Sequence, residues 1–273
     1  MNQQVWDISI EHLDGGYEGR LVLQDFSAVL PAGTITTILG ESGCGKTTLL
    51  RLLLGLNRPS AGSIHVGGRD ICRMSEAQFR KMRRRFGVLF QDGALISSLT
   101  LAENVALPLV EHTGLPRRTL RDAAMRTLAL VGLDKFSDYY PGELSGGMRK
   151  RAGLARAIVT EPPVLFCDEP TSGLDPITAA QMDQLLLGMK SCYPDMTTVV
   201  VTHDLGSVDH IAEHILVLRS GKAAFAGTKE ELHASQDPYL RRFLDRKFEE
   251  SRRMAAPPLD GSVRQALAEW LDD

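Results

Sequence analysis

Several things are scarce in this chain, and each shortage narrows what it can be. The four cysteines, Cys44, Cys72, Cys167 and Cys192, are scattered and form no C-x-x-C pair. Neither a zinc site nor a disulfide framework is therefore indicated. No apolar run approaches the ~18 residues of a membrane span. The opening, Met1 to Asp7, has no basic n-region and no apolar h-region, so no signal peptide is expected and the chain is assigned to the cytoplasm. Neither sign of charge dominates: 31 Lys and Arg against 34 Asp and Glu leave −3. That gives no general push toward nucleic acid, and no nucleic-acid partner is expected. There is no internal repeat and no low-complexity tract. What remains is an ordinary globular balance, 43% hydrophobic and 24% charged over 273 residues, long enough for one large domain or two small ones.

Against that plain background one stretch stands out. Gly40-Glu41-Ser42-Gly43-Cys44-Gly45-Lys46-Thr47-Thr48 fits G-x-x-x-x-G-K-[ST]. A β-branched run, 34–39, precedes it as a buried strand, and a leucine-rich run, 49–56, follows as a helix. Glycines let the backbone wrap a pyrophosphate with its N–H groups inward, and the helix end adds partial positive charge. Lys46 is expected to reach the β- and γ-phosphates of ATP, and Thr47 to offer its hydroxyl to Mg²⁺. Cys44 reads either as a redox switch or as a small residue facing away from the nucleotide.

Strand-like segments at 34–39, 86–90, 164–167, 197–202 and 215–218 alternate with helical stretches, which predicts an α/β fold with a mostly parallel core. Residues 21–30 and 63–66, with a turn at Gly67-Gly68, suggest an antiparallel β subdomain beside it. Between about 92 and 162 the pattern turns helical, at 120–131 and 149–159, as an inserted helical subdomain. Ser220-Gly221-Lys222 reads as a hairpin turn. The domain is drawn as 1–246 and the remainder, 247–273, as a charged, proline-bearing tail. It ends in an amphipathic run at 263–271. That run is read as unstructured, as packing on its own domain, or as an interaction helix for a second copy or an accessory protein.

The chemistry gathers at strand ends. Val164 to Cys167 delivers Asp168, expected to hold Mg²⁺, and Glu169, expected to polarise an attacking water as general base. The 197–202 strand ends at His203, placed to contact the γ-phosphate and that water. Leu144-Ser145-Gly146-Gly147 precedes a helix, with Ser145 as N-cap and the glycines exposing N–H groups: a second anion site about 100 residues beyond Lys46. A head-to-tail dimer resolves the separation, Ser145 of one copy closing over the ATP held by Lys46 of the other.

The phosphate loop, Gln91, Leu144-Ser145-Gly146-Gly147, Asp168-Glu169, Ser172-Gly173-Leu174-Asp175 and His203 together resemble the nucleotide-binding subunit of ATP-binding-cassette (ABC) transporters, over roughly residues 5–235. The resemblance implies a P-loop NTPase fold of the RecA-like kind, ATP hydrolysis coupled to transport, an integral-membrane permease as partner, and a position on the inner face of the cell membrane. It implies that Gln91 senses Mg²⁺ and couples to the permease, that Asp175 lies in the dimer-contact loop, and that Tyr17 stacks on adenine. Met148 stands where glutamine is usual. With Phe90 to Leu95, Glu103 to Leu109, Glu111-His112-Thr113 and Asp175 to Thr178, it is similar to the ATPase of Mla-type (Mce-associated) phospholipid transporters. That implies Mce-domain substrate-binding and small accessory subunits. Amino-acid or lipoprotein transport is the alternative, followed by a non-transport ABC ATPase.

Two further patterns are set aside. His210-Ile211-Ala212-Glu213-His214 matches H-x-x-E-H, and as a helix it would put both histidines on one face, but no third ligand is apparent. Arg80 to Arg85 is a basic cluster, read as a solvated helix face with a lipid-headgroup or acidic-partner contact as the minor alternative.

Overall fold

The computed structural model describes residues 6–17, 19–245 and 260–272. The chain divides between Ala234 and Ser235 into two compact units. The first runs β1 (Ile8–Tyr17), β2 (Arg20–Leu30), β3 (Ile35–Gly40), α1 (Lys46–Leu53), β4 (Ala61–Val66), β5 (Arg69–Asp70), α2 (Glu76–Arg83) and β6 (Phe86–Leu89). It continues through α3 (Leu101–His112), α4 (Arg117–Leu130), α5 (Gly146–Ile158), β7 (Val164–Asp168), α6 (Pro176–Cys192) and β8 (Thr197–Val201). It closes with α7 (Leu205–Ile211), β9 (His214–Arg219), β10 (Lys222–Thr228) and α8 (Lys229–Ala234). The second unit carries α9 (Pro238–Leu244) and α10 (Gly261–Asp272). The boundary drawn from sequence at 246/247 falls outside the described residues.

A six-stranded sheet, in the order β10-β9-β3-β8-β7-β6, is parallel throughout except at the β9–β10 hairpin. All six residues of β3 are buried, as expected of a parallel strand covered on both faces. Successive side chains alternate between two cores. Val164 and Phe166 of β7, with Val199 of β8, join Phe26, Ile38 and Leu49 under an antiparallel sheet ordered β2-β1-β4-β5. Leu165, Cys167 and Val200 join Leu101, Val105, Leu128 and Leu154 of α3–α5 and Leu186 of α6 on the other face.

The antiparallel sheet has a central strand that periodicity does not predict. In β1 the pairing register with β2 slips between Ile10 and Leu13, Leu13 and Gly15, and Gly15 and Gly16. His12 there adopts a left-handed φ of 47°. Each bulge shifts the inward face by a residue and erases a clean alternation. Elsewhere the differences are at the ends. α1 starts at Lys46 and α5 at Gly146, each three residues before the apolar signal, because caps and not apolar residues set where a helix begins. Gly67 and Gly68 turn between β4 and β5, both at positive φ. Helix α7 stops at Ile211 and His214 opens β9, so His210 and His214 do not share a helix.

Candidate nucleotide site at the rim of the parallel sheet

Four adjacent parallel strands, β3, β8, β7 and β6, end at one edge, and each is followed by a candidate residue: the phosphate loop, His203, Asp168-Glu169 and Gln91. The carboxyl edge of such a sheet is where α/β folds place their ligands.

The loop from Gly40 to Thr48 is fixed from beneath. Gly45 is the N-cap of α1 with φ 116° and contributes no side-chain cap, so the first amides of α1 are left to the loop's concave side. A Cβ on Gly45 would lie 2.9 Å from Leu23. The Gly221 N–H donates to the Cys44 carbonyl at 3.1 Å, and the Gln24 N–H donates to the Gly221 carbonyl at 3.2 Å. One glycine of the β9–β10 hairpin thus pins β2 and the phosphate loop together. Lys46 Nζ donates to the carbonyls of Gly40 (2.7 Å) and Glu41 (3.1 Å), so the ammonium stays at the loop. Glu41, Ser42, Gly43 and Thr47 are exposed, while Thr48 is buried. Cys44 is buried, and burial pushes its thiol up, away from the thiolate a redox switch needs.

Asp168 is half-buried at the end of β7. Burial and the neighbouring Glu169 push its carboxyl up, against the pull of Arg51 and Lys46. Glu169 takes a left-handed φ of 48°, a strained setting for a non-glycine. Its N–H donates to the Val201 carbonyl at 2.8 Å, and its Oε2 lies 2.8 Å from His203 Nδ1. An ionised carboxylate only accepts, so Nδ1 carries the hydrogen of that bond and Nε2 is left for another partner. Gln91 is exposed just beyond β6.

Helix α5 braces this rim. Lys150, buried, donates from Nζ to the carbonyls of Glu169 (3.0 Å) and Ser172 (2.6 Å). Burial lowers its pKa, and the carboxylates of Asp92 and Glu169 oppose that. Gly153 packs on Gly93, where an added Cβ would come within 2.8 Å of the Gly93 Cα. Arg156 donates to the carbonyls of Gly93 (2.8 Å) and Ala94 (2.7 Å). Neither Lys150 nor Arg156 stands out in sequence, where they are two among the basic residues of α5. Only the fold shows that Lys150 is buried and that the half-buried Arg156 reaches the 93–94 carbonyls.

Ser145 caps α5, its Oγ accepting the Met148 N–H at 3.2 Å, and it is exposed with Gly146. Gly147 is buried against Thr178 at the head of α6. Asp175 caps α6, accepting from the N–H groups of Ile177 and Thr178 (both 3.1 Å) and from the Thr178 hydroxyl (2.6 Å), bonds that hold its carboxyl below the usual range. The bonds made by 145–147 and Asp175 are local to α5 and α6. None ties them to the phosphate loop of the same chain, among the described residues. Tyr17 ends β1, 47% exposed, beside the turn into β2.

Residues 23–172 match the family model described as ABC transporter. The chain is 41% identical over 238 residues to the probable ribonucleotide transport ATP-binding protein mkl of Mycobacterium tuberculosis, covering 87% of this chain and 66% of that one. It therefore spans just under two thirds of that relative's length. It is 43% identical over 226 residues to the intermembrane phospholipid transport system ATP-binding protein MlaF of Escherichia coli, covering 83% and 84%. Among solved structures it is similar to the dimeric, post-hydrolysis state of the ATP-binding cassette MJ0796 bound to ADP and Pi, with TM-score 0.73 and 29% identity over 81% of this chain and 98% of that one. With the family model, the relatives and the strand-end geometry in agreement, this chain belongs to the ABC transporter family, as one of its ATP-binding cassettes.

Proposed function

We propose that the chain hydrolyses ATP to drive phospholipid transport, as a head-to-tail dimer on the inner face of the cell membrane beneath an integral-membrane permease. The observation that carries the hydrolytic part is the Glu169–His203 pair, 2.8 Å apart at the rim that also bears Lys46 and Asp168. In this reading the amides of residues 40–48 and Lys46 hold the β- and γ-phosphates, and Tyr17 stacks on adenine. Glu169 takes the proton of the attacking water, and His203 orients that carboxylate and reaches the γ-phosphate side through Nε2. Thr47, Asp168 and Gln91 offer hard oxygen donors that fit Mg²⁺. When bound, the ion neutralises charge on the phosphates. The dimer reading draws on the local bonding of 145–147 and Asp175, which leaves them for a partner copy, and on the dimeric MJ0796 structure.

The permease is assigned to residues 91–113. There Ile96 and Val110 are exposed and Leu99, Leu107 and Leu109 half-buried, a suitable apolar surface. Leu101 and Val105 belong instead to the core, so Leu99 and not Leu101 is the residue with which to probe docking. No helix among the described residues is long and apolar enough to cross the membrane. Phospholipid as cargo rests on the MlaF relative and the subfamily residues of 90–113 and 144–148; the relative named for ribonucleotide transport makes nucleotides the second reading. Mce-domain and small accessory subunits belong to the first reading.

Two measurements test this. Glu169→Gln is expected to keep ATP affinity and lower turnover roughly 10²-fold or more, since the amide keeps the shape but cannot accept the proton. Steady-state hydrolysis near wild type removes the base assignment. The complex purified with its permease is expected to carry phospholipid, identified by mass spectrometry; bound ribonucleotide and no lipid would favour the second reading.

A further inference from the structure

Glu169 is held from three sides. β8 accepts its N–H, His203 meets its carboxylate, and Lys150 of α5 binds its carbonyl. The third hold is the unusual one. Lys150 Nζ has three acceptors within reach, the carbonyls of Glu169 (3.0 Å) and Ser172 (2.6 Å) and the Ser172 hydroxyl (3.4 Å). All three lie in the tight turn closed by the Ser172 N–H on the Glu169 carbonyl (3.2 Å). No ion pair among the described residues includes Lys150. A buried ammonium spent on two carbonyls is expensive unless those carbonyls must be held. One belongs to Glu169, whose left-handed φ of 48° persists only where its surroundings over-determine it, and the other to Ser172, which closes the same turn. The same helix is capped by Ser145, five residues earlier in sequence, and is locked to the Gln91 loop through Gly93, Gly153 and Arg156.

We infer that Lys150 is a positioning residue for hydrolysis, carrying the seating of α5, and with it of residues 145–147, onto the backbone of Glu169. In a head-to-tail dimer the docking of 145–147 on a partner's nucleotide then reaches the base of their own subunit through a helix-borne amine, not through a loop. The two sites of the dimer become linked: α5 touches the nucleotide of one site while its Lys150 sets the base of the other. The inference rests on Glu169 being the base.

The test measures ATP hydrolysis by the full chain in complex with its permease, for wild type, Lys150→Met, Lys150→Arg, Glu169→Gln and the Lys150→Met/Glu169→Gln pair. Steady-state and single-turnover rates are read beside Tm and the affinity for ATPγS. Lys150→Met keeps the aliphatic stem and removes every donor. It is expected to lower kcat between roughly tenfold and 10²-fold, the scale of a misplaced catalytic group. KM and ATPγS affinity should stay within about twofold, and Lys150→Arg should restore most of kcat. In the Glu169→Gln background the same change should add less than about twofold, because no base is left to misplace. Three results overturn the inference while leaving the base assignment intact: near-wild-type kcat in folded Lys150→Met beside a dead Glu169→Gln; the same added loss in both backgrounds; or kcat and ATPγS affinity falling together with Tm. Turnover surviving in Glu169→Gln instead overturns the base itself, and the inference with it. If Lys150→Met does not fold, Lys150→Gln, a shorter and uncharged donor, is read by the same split between kcat and KM.

Discussion

Two helix N-termini are the proposed anion sites of this chain, and they are finished in opposite ways. α1 begins behind Gly45, which has no side chain to offer and a backbone at φ 116°. The orphan amides of its first turn are left to whatever the loop encloses. α5 begins behind Ser145, whose hydroxyl already accepts the Met148 N–H. A helix with its own cap is formed before any ligand arrives, and such a cap contributes about 1 kcal/mol. The end proposed to grip a phosphate leaves its own first-turn amides without a side-chain cap. The end proposed to dock on a partner copy is complete by itself and leaves only the hydroxyl hydrogen and the glycine amides to offer. The nearby lysines differ in the same sense. Lys46 rests on loop carbonyls at a half-exposed position, while Lys150 is sealed in the interior.

The sharpest way to break this comparison is to put one lesion in each end. Lys46→Ala and Ser145→Arg are each expected to abolish hydrolysis alone. Mixed, they should recover partial activity, because a head-to-tail pair of one each has one site with both lesions and one intact. Where a dimer with one intact site can turn over, as checked by pairing each variant with wild type, no recovery on mixing would place both ends in one subunit's site. A smaller effect concerns the scaffold that carries α5. Asn104 is fully buried. It accepts from the Ile96 N–H (2.7 Å) and donates to the carbonyls of Ile96, Leu99 and Thr100 (all 3.0 Å). Asn104→Ala leaves those groups unsatisfied. It should destabilise by about 2 kcal/mol or more in urea unfolding and weaken permease binding, while ATP affinity at the α1 end holds. Unchanged stability would mean that the 96–100 loop does not depend on this amide.

The smallest effect has the opposite sign. The Asp168 carboxyl is pushed up by burial and by Glu169. The folded chain therefore binds that proton more tightly than the unfolded chain does. This favours folding below the ordinary carboxylate pKa and is lost as pH rises through the folded value. At pH 7 the ionised group burdens the nucleotide-free fold. Asp168→Asn should thus raise Tm in the absence of nucleotide while removing turnover, with the gain in Tm shrinking toward acid pH. A lower Tm at pH 7 would mean that the pull of Arg51 and Lys46 outweighs burial.

Much of the rim was legible from sequence because strand ends announce themselves. An apolar run that stops at Asp168-Glu169, or a β-branched one that stops at His203, delivers those residues to the edge of a sheet. The order of the strands was not legible, since pairing β3 with β8 and β9 is a long-range choice that leaves no local mark. β1 was hidden by its bulges, which interrupt the period that reveals a strand. The bracing by Lys150 and Arg156 was hidden for another reason. In a run such as Arg149-Lys150-Arg151 the sequence carries charge but not depth, and only one of the three is fully enclosed. Asn104 was visible merely as part of a subfamily pattern; its four bonds explain why an amide stands inside an apolar helix face.

The β9–β10 hairpin has a practical corollary. Ser220 and Lys222 are exposed, and a short surface turn of this kind is where an epitope, a fluorophore or a permuted terminus is ordinarily introduced. Between them Gly221 is buried, with its N–H on Cys44, its carbonyl on Gln24, and the Val22 carbonyl filling the space where a side chain would stand. A label inserted there would tug on the phosphate loop and report on its own disturbance. Reporters for this cassette belong on the loop between α3 and α4, where Gly114 has open space around it.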